Sequence, residues 1–255
     1  MSEIIPVCRH WRAVHDKDSI LWLFIDREGE AVNALSEEVL REFDTLLDYA
    51  KKTPIKGLAI LSDKPSGFIL GADIREFDGF TDAEQVTASI EEVHDMFRKL
   101  ESLNCPTVAA FEGYCLGGGL ELALSCSYRI AKDIPSTKIG FPEVQLGIFP
   151  GFGGSARSVH QIGGLKAMEL MLSARQLGAR QARAVGLVDE VIGRHEELYW
   201  AARRAVLSKR KSRKPSLFAR ASNWGIARGI LAKQMRKQTA LRARQAHYPA
   251  PYRLI

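Results

Sequence analysis

Between Glu112 and Arg129 the sequence EGYCLGGGLELALSCSYR carries a single charged residue, Glu121. Its neighbours Leu120, Leu122, Ala123 and Leu124 leave no polar face, so a helix here must be buried on all sides. A bare carboxylate inside a protein costs several kcal/mol unless it is hydrogen-bonded or protonated. The fold must therefore enclose this segment and satisfy or use its acid. On this stretch alone, a structural glutamate held by a buried Arg or by backbone amides weighs as much as a functional one. Gly117, Gly118 and Gly119 stand just ahead of the acid. Glycine lets the backbone approach a ligand closely, and the free N–H groups at the following helix start suit a developing oxyanion. A phosphate cradle or tight packing would use the same turn, but no G-K-[ST] follows, so it is not a P-loop.

A second acid stands in similar isolation. In KIGFPEVQLGIFPGFGG, Glu143 is the only acid, and no charge follows until Arg157. Pro142 fixes its approach, and Gly147, Pro150, Gly151, Gly153 and Gly154 form a bare loop. An acid among apolar and glycine residues has a raised pKa, which suits acid/base work; an exposed loop carboxylate is the plain alternative. A third stretch, GFILGADIREF, sets Asp73 and Arg75 after Gly71-Ala72 and reads on its own as a turn. His94 is expected opposite the apolar stripe of its helix. No Ser-His-Asp order and no metal-ligand spacing of His or Cys occurs.

Periodicity gives the organisation. SILWLFI (19–25), IKGLAIL (55–61), PTVAAFEG and SYRIAK read as strands, and GLVDEVI reads as a strand or an extended exit. Ser36 caps a helix whose stripe is Val39, Leu40, Phe43, Leu46, Leu47 and Ala50. Thr81 opens another with a T-D-A-E capping box and the stripe Val86, Ile90, Val93, Phe97 and Leu100. PSGFILGAD reads as a loop. Further helices are expected near 154–162, 164–173 and 178–185. Alternation of strands and helices through residue 192 makes this part α/β. Residues 196–246 read as helical, with a break at Lys214-Pro215, and 247–255 read as the remnant of a linker.

Charge is unevenly placed. The net charge is +6, yet residues 201–255 hold fifteen Lys and Arg and no acid. Such a tail meets nucleic acid, an anionic membrane or a phosphate ligand, or else is a solvated helix face or a face that packs on an acidic partner domain. Trp224, Ile226, Ile230, Leu231 and Met235 interleave with the charges as in an ordinary amphipathic helix, which favours the last two readings. Four cysteines without C-x-x-C spacing read as buried, reduced thiols. No apolar run approaches the ~20 residues of a membrane span, and the start is not a secretory signal, so a cytoplasmic location is expected.

Taken together, GADI at 71–74, GYCLGGGLELALSC at 113–126, GFPEVQLGIFPGFGG at 140–154 and RQLGARQARAVGLVDEVI at 175–192 resemble the enoyl-CoA hydratase (crotonase) family. The resemblance runs in order over residues 10–195. It implies a crotonase-like spiral of ββα units (1–195) followed by a basic helical region (196–246) and the linker remnant (247–255). It implies that the N–H groups of Ala72 and Gly118 form an oxyanion hole for a thioester carbonyl. Glu121 and Glu143 would hold a water between them, one taking its proton and the other protonating the α-carbon. Gly151 would offer an N–H near that water. Ala72, Asp73, Ile74 and Arg75, with Gly117 and Gly118, would bind the coenzyme A substrate. No separate cofactor is implied, since coenzyme A is part of the substrate.

FILGADIREF, FPEVQLG and the tail QMRKQTALRARQAHYPAPY are similar to the multifunctional branch of that family. There a hydratase half leads through a helix and a YPAP segment into a 3-hydroxyacyl-CoA dehydrogenase half. No G-x-G-x-x-G fingerprint is present, so the dehydrogenase half would be missing from this chain, truncated or split from it. A thiolase subunit and a homo-oligomer are the further partners this implies, and nucleic acid is not among them. Two alternatives share these residues: a Δ3-Δ2-enoyl-CoA isomerase on the same site, and an inactive module that binds RNA or a partner through its basic tail. Two departures stand out: Ser127 where many members carry Asp, and SVHQIG at 158–163, which bears on the packing of its helix.

Overall fold

The computed structural model describes residues 4–79, 81–213, 215–216, 219, 223, 225–240 and 248–255. The chain winds as repeated turns of two strands and a helix. β1 (Trp11–His15) and β2 (Ile20–Ile25) form an antiparallel entry pair. β3 (Gly57–Ser62), β5 (Thr107–Phe111), β7 (Tyr128–Lys132) and β9 (Glu190–Ile192) then add in parallel, giving a six-stranded sheet in the order β1-β2-β3-β5-β7-β9. After each of β3, β5 and β7 the chain makes a short second strand: β4 (Gly67–Ile69), β6 (Tyr114–Leu116) and β8 (Lys138–Gly140). These three pair in parallel as a second sheet. A spiral of ββα units results, as the resemblance implied.

Both faces of the large sheet are covered, so its strands read as near-continuous apolar runs. In β3, Leu58 and Ile60 enter the core on one face, while Ala59 and Leu61 enter that on the other. This is the period-2 alternation of a strand. The first core is closed by α1 (Glu37–Lys52) and α2 (Ala83–Glu101), with α3 (Gly118–Ser125) inside it. The second is closed by α7 (Leu198–Leu207) through Ala201, Ala202, Ala205 and Val206. α4 (Gly154–Ile162), α5 (Gly164–Ser173) and α6 (Ala179–Val185) pack on the first core.

Ser36 caps α1 as expected, its hydroxyl accepting from the Val39 N–H. The cap of α2 lies one residue later than expected. Asp82, not Thr81, accepts from the N–H of Gln85, because Asp82-x-x-Gln85 offers the same capping spacing with a stronger acceptor. The stretch read as a loop, PSGFILGAD, contains β4. A three-residue strand has too few residues for a periodic signal, and only pairing with β6 reveals it.

The basic tail begins as a packed face. Arg203 pairs with Asp18, and Arg204 and Arg210 both pair with Glu190. Past it lie α8 (Gly225–Ala240), on which Met235 is buried, and α9 (Ala250–Leu254), on which Ala250 and Pro251 are buried. Trp224 lies outside the described residues, as does Lys214 at the expected break, and nothing is described of the side chains of Ile226 and Ile230. All four cysteines are free; Cys115 and Cys126 are buried, whereas Cys8 and Cys105 are half-buried. Ser127 and Thr107 exchange three hydrogen bonds that tie the starts of β5 and β7 together. Ser158 is fully buried and its hydroxyl donates to the Gly154 carbonyl, so SVHQIG packs as a regular helix.

Candidate active site

α3 places the first acid. It starts directly from β6 through Gly117, whose φ of 48° and ψ of −125° suit a residue without a side chain. A Cβ on Gly117 would stand 3.0 Å from the Glu143 Oε1. A Cβ on Gly119 would stand 2.5 Å from the Ile69 carbonyl oxygen, so α3 can lie against β4 only as glycine. Every residue of α3 is buried, Glu121 included at 2% exposure. The Glu121 Oε1 accepts the N–H of Gly154 at 2.7 Å. Arg129, buried among the described residues, is not its partner; it pairs with Asp189 at 2.7 Å.

The second acid begins a 3₁₀ turn, Glu143–Leu146, set by Pro142 and closed by Gly147 in the left-handed conformation. Glu143 is 9% exposed, so it is not the exposed loop carboxylate that its stretch also allowed. Neither of its carboxylate oxygens has a hydrogen-bond partner among the described residues. Buried polar atoms are almost always paired, and an unpaired carboxylate is a group held ready for something else. Burial lifts its pKa to about 7. Burial, and next the charge of Glu143, lift that of Glu121 to about 8, against the N–H groups of Gly154 and Phe152 that favour its charged form. Near neutral pH the two acids together therefore hold roughly one proton, and one can accept while the other donates.

Two backbone segments meet nearby. Ala72 bridges to Leu35: the Leu35 N–H donates to the Gly71 carbonyl, and the Asp73 N–H donates to Leu35. That pattern uses the flanking residues and leaves the N–H of Ala72 on the side away from Leu35. Gly118, the first residue of α3, has an N–H that no helical carbonyl can reach. A Cβ built on Gly118 would lie 3.3 Å from the Ala72 nitrogen and 3.2 Å from the Phe152 ring, so the backbones of Ala72 and Gly118 meet in one tight corner.

Both acids, Ala72 and Gly118 line one cavity of about 1380 Å³. Ala72, Asp73, Ile74, Arg75, Gly117, Gly118, Glu121, Glu143 and Gly151 are among its walls. Its rim exposes large apolar side chains, with Ile74 at 51% and Leu146 at 58%. Concentrated exposed apolar surface in a concave site marks a ligand surface. Asp73 faces a more specific task than a free wall position. It is buried and ion-paired with Arg27 and Arg75 at 2.7 and 2.8 Å, which hold its carboxyl well below the usual carboxylate range. Arg75 also pairs with Glu30.

The sequence stripe of α2 divides in the structure. Val93, Phe97 and Leu100 are buried, but Val86 and Ile90 are only half-buried and line the cavity. Periodicity gives the apolar face and cannot say that one end of it borders a cleft. His94, expected on the polar side, is half-buried, and its Nε2 lies 2.7 Å from the Gly151 carbonyl oxygen. The C-terminal segment was also missed. The Tyr248 hydroxyl donates to the carbonyls of Val144 and Gln145, and Pro249, Ala250 and Arg253 line the cavity. No local pattern in HYPAPYRLI signals this, since the contact joins segments about a hundred residues apart.

Among the described residues no group of three or more His, Cys, Asp and Glu is placed to hold a metal ion. No helix among them is long and apolar enough to cross a membrane.

Comparison with known proteins adds the lineage. The family model described as enoyl-CoA hydratase/isomerase matches residues 16–247. The fatty acid oxidation complex subunit alpha of Shewanella amazonensis is 40% identical over 243 residues, covering 93% of this chain and 34% of that protein. That of Aliivibrio fischeri is 39% identical over 242 residues, covering 92% and 34%. The chain thus spans about a third of the length of the curated relatives it matches. Among solved structures, the enoyl-CoA hydratase of Thermoplasma volcanium superposes with a TM-score of 0.71 at 27% identity, over 91% of each chain. That of Bacillus anthracis gives 0.71 at 26% identity, over 96% of this chain and 88% of that one. With the four motifs in order, the ββα spiral and the paired acids in one cavity, the chain is an enzyme that belongs to the enoyl-CoA hydratase/isomerase family.

Proposed function

We propose that this chain adds water across the 2,3 double bond of a trans-2-enoyl-CoA and yields the 3-hydroxyacyl-CoA, as a step of fatty-acid oxidation. The observation that carries the proposal is the pair of buried acids, one without a partner for its carboxylate oxygens among the described residues, beside the closely placed backbones of Ala72 and Gly118. The thioester carbonyl is held by the N–H groups of Ala72 and Gly118. That grip draws electrons from the double bond toward the oxygen and stabilises the enolate formed on attack. A water between Glu121 and Glu143 loses a proton to the ionised member of the pair as its oxygen bonds the β-carbon. The protonated member then gives its proton to the α-carbon. The sum is one water added, with the pair's single proton moved from one acid to the other. Exchange with solvent restores the starting state.

The remaining walls fit the substrate class. Ala72 through Arg75 lie along the arm of the thioester carrier, and Gly117 and Gly118 let its carbonyl approach the backbone. The apolar walls, Val86 and Ile90 among them, face the acyl chain. The reaction needs no cofactor beyond the coenzyme A of its substrate. The relatives are alpha subunits of a fatty acid oxidation complex. By that likeness the partners of this chain are a 3-hydroxyacyl-CoA dehydrogenase half and a thiolase subunit, with the basic region 196–246 as the meeting face and the cytoplasm as the location.

The test is the loss of enoyl-thioester absorbance with purified protein and trans-2-enoyl-CoA, with product identification. Hydration abolished by Glu121→Gln and by Glu143→Gln supports the proposal. Full rate in either variant overturns it. Turnover of a Δ3-enoyl-CoA without hydration would instead make the site an isomerase.

A further inference from the structure

Three contacts brace the loop at 151–154 that covers Glu121. The Arg157 guanidinium, itself paired with Glu101, donates to the Phe152 carbonyl at 2.9 Å. The Gly154 N–H donates to Glu121. The third contact comes from α2, where the His94 Nε2 meets the Gly151 carbonyl at 2.7 Å. A carbonyl can only accept, so His94 Nε2 carries the hydrogen whether the ring is neutral or charged. The Gly151 carbonyl and the Phe152 N–H belong to one planar peptide and point in opposite directions. The Phe152 N–H acts on the Glu121 carboxylate. Gly151 has no side chain to anchor its half of this peptide, and a Cβ there would meet nothing closer than 3.9 Å, whereas the Phe152 ring packs edge-on against Phe97.

We infer that His94 is a positioning residue of the reaction: its Nε2–H fixes the Gly151–Phe152 peptide and with it the loop whose Gly154 N–H holds Glu121. The inference deepens the hydratase reading and rests on it. Nothing in the sequence marks His94, because its partner is 57 residues away and its own stretch reads as the outer face of a helix. The groups acting electrostatically on Glu121 are Glu143 from the 3₁₀ turn and Arg157 from α4, and neither changes when His94 is replaced.

Glutamine and asparagine separate the role from mere packing. The amide nitrogen of Gln reaches the place of Nε2, whereas that of Asn reaches only the place of Nδ1. His94→Asn is expected to lower kcat roughly ten- to a hundredfold, with KM for a trans-2-enoyl-CoA changed less than about twofold. Its pH–rate profile moves to higher pH, since Glu121 loses an N–H that favours its charged form. His94→Gln recovers most of the rate and the original profile. Equal rates and superimposable profiles for the Asn and Gln variants and the unmodified protein overturn the inference while Glu121→Gln stays inactive. If instead the unmodified protein does not hydrate, or Glu121→Gln keeps full rate, the hydratase reading fails and the inference with it. Should the Asn variant not fold, His94→Leu takes its place with the same expected loss.

Discussion

Two buried charged clusters lie within this one molecule, and they are built to opposite rules. In the first, Arg129 and Asp189 form an ion pair whose side chains are 2% and 1% exposed. The guanidinium also donates to the carbonyls of Leu187 and Cys126 and to Ser212, while Asp189 accepts from Ser212 and from the N–H groups of Arg129 and Arg213. Its charges are matched and its hydrogen bonds are made. In the second, two carboxylates line one cavity, neither is ion-paired among the described residues, and both oxygens of Glu143 lack a hydrogen-bond partner among them. The first cluster pins β7 to the segment after α6 and to the chain at 212–213. The second makes one such bond, from the Gly154 N–H to Glu121, and otherwise keeps two acids with raised proton affinity beside space for a substrate. Satisfaction marks the structural cluster, and its lack marks the reactive one.

The sharpest way to break this contrast is to neutralise each acid. Glu121→Gln and Glu143→Gln should each lower kcat by about 10²- to 10⁴-fold, the usual worth of a positioned acid or base, without loss of folded protein. Steady-state kinetics with circular dichroism on the same samples checks both halves. The reverse outcome is expected in the other cluster. Arg129→Met leaves Asp189 buried without its cation and should cost about 3–5 kcal/mol of stability, read by urea unfolding, while kcat of the folded fraction is kept. A catalytic loss there without unfolding would dissolve the distinction.

Acid dependence sharpens the comparison further. Folded-state values of about 7 for Glu143 and about 8 for Glu121 exceed the ordinary carboxylate value, so the native state binds more protons than the unfolded chain between about pH 4.5 and 8. Stability therefore falls as pH rises through that window. The Gln variants should match the unmodified protein near pH 4 and exceed it above pH 8, by on the order of 1–3 kcal/mol each. Thermal unfolding across pH measures this, and a gap that narrows with rising pH would contradict the raised values. The same pair predicts a bell-shaped kcat/KM profile peaking between about pH 7 and 8.

The smallest effect concerns the C-terminal segment. Tyr248→Phe removes the hydroxyl that holds the 3₁₀ turn through the Val144 and Gln145 carbonyls. A lost neutral hydrogen bond of this kind, its one O–H shared between the two carbonyls, is worth about 1 kcal/mol. KM for the thioester should rise a few-fold, with kcat nearly kept, as the turn bearing Glu143 and the wall formed by Pro249 and Ala250 loosen.

Local patterns in the sequence account for much of this molecule. The stripe of α1 with its Ser36 cap, the strand at 19–25 and the enclosure of Glu121 all follow from patterns within a few residues, where local propensity and burial agree. The two acids could be singled out because each is alone in an apolar stretch. What needed the tertiary structure depends on contacts distant in sequence. Three short strands acquire their identity only by pairing with one another. Glu121 has its Gly154 N–H and Glu143 has no partner among the described residues, yet both acids read the same in the sequence. His94 faces inward because α2 leans over a loop 57 residues on, and the C-terminal residues line the cavity through a tyrosine bonded to the turn that carries Glu143. The sequence determines which residues must be buried, because hydrophobicity is a property of each side chain. Only the folded chain decides which buried polar groups find partners, because a partner is a property of two places in space.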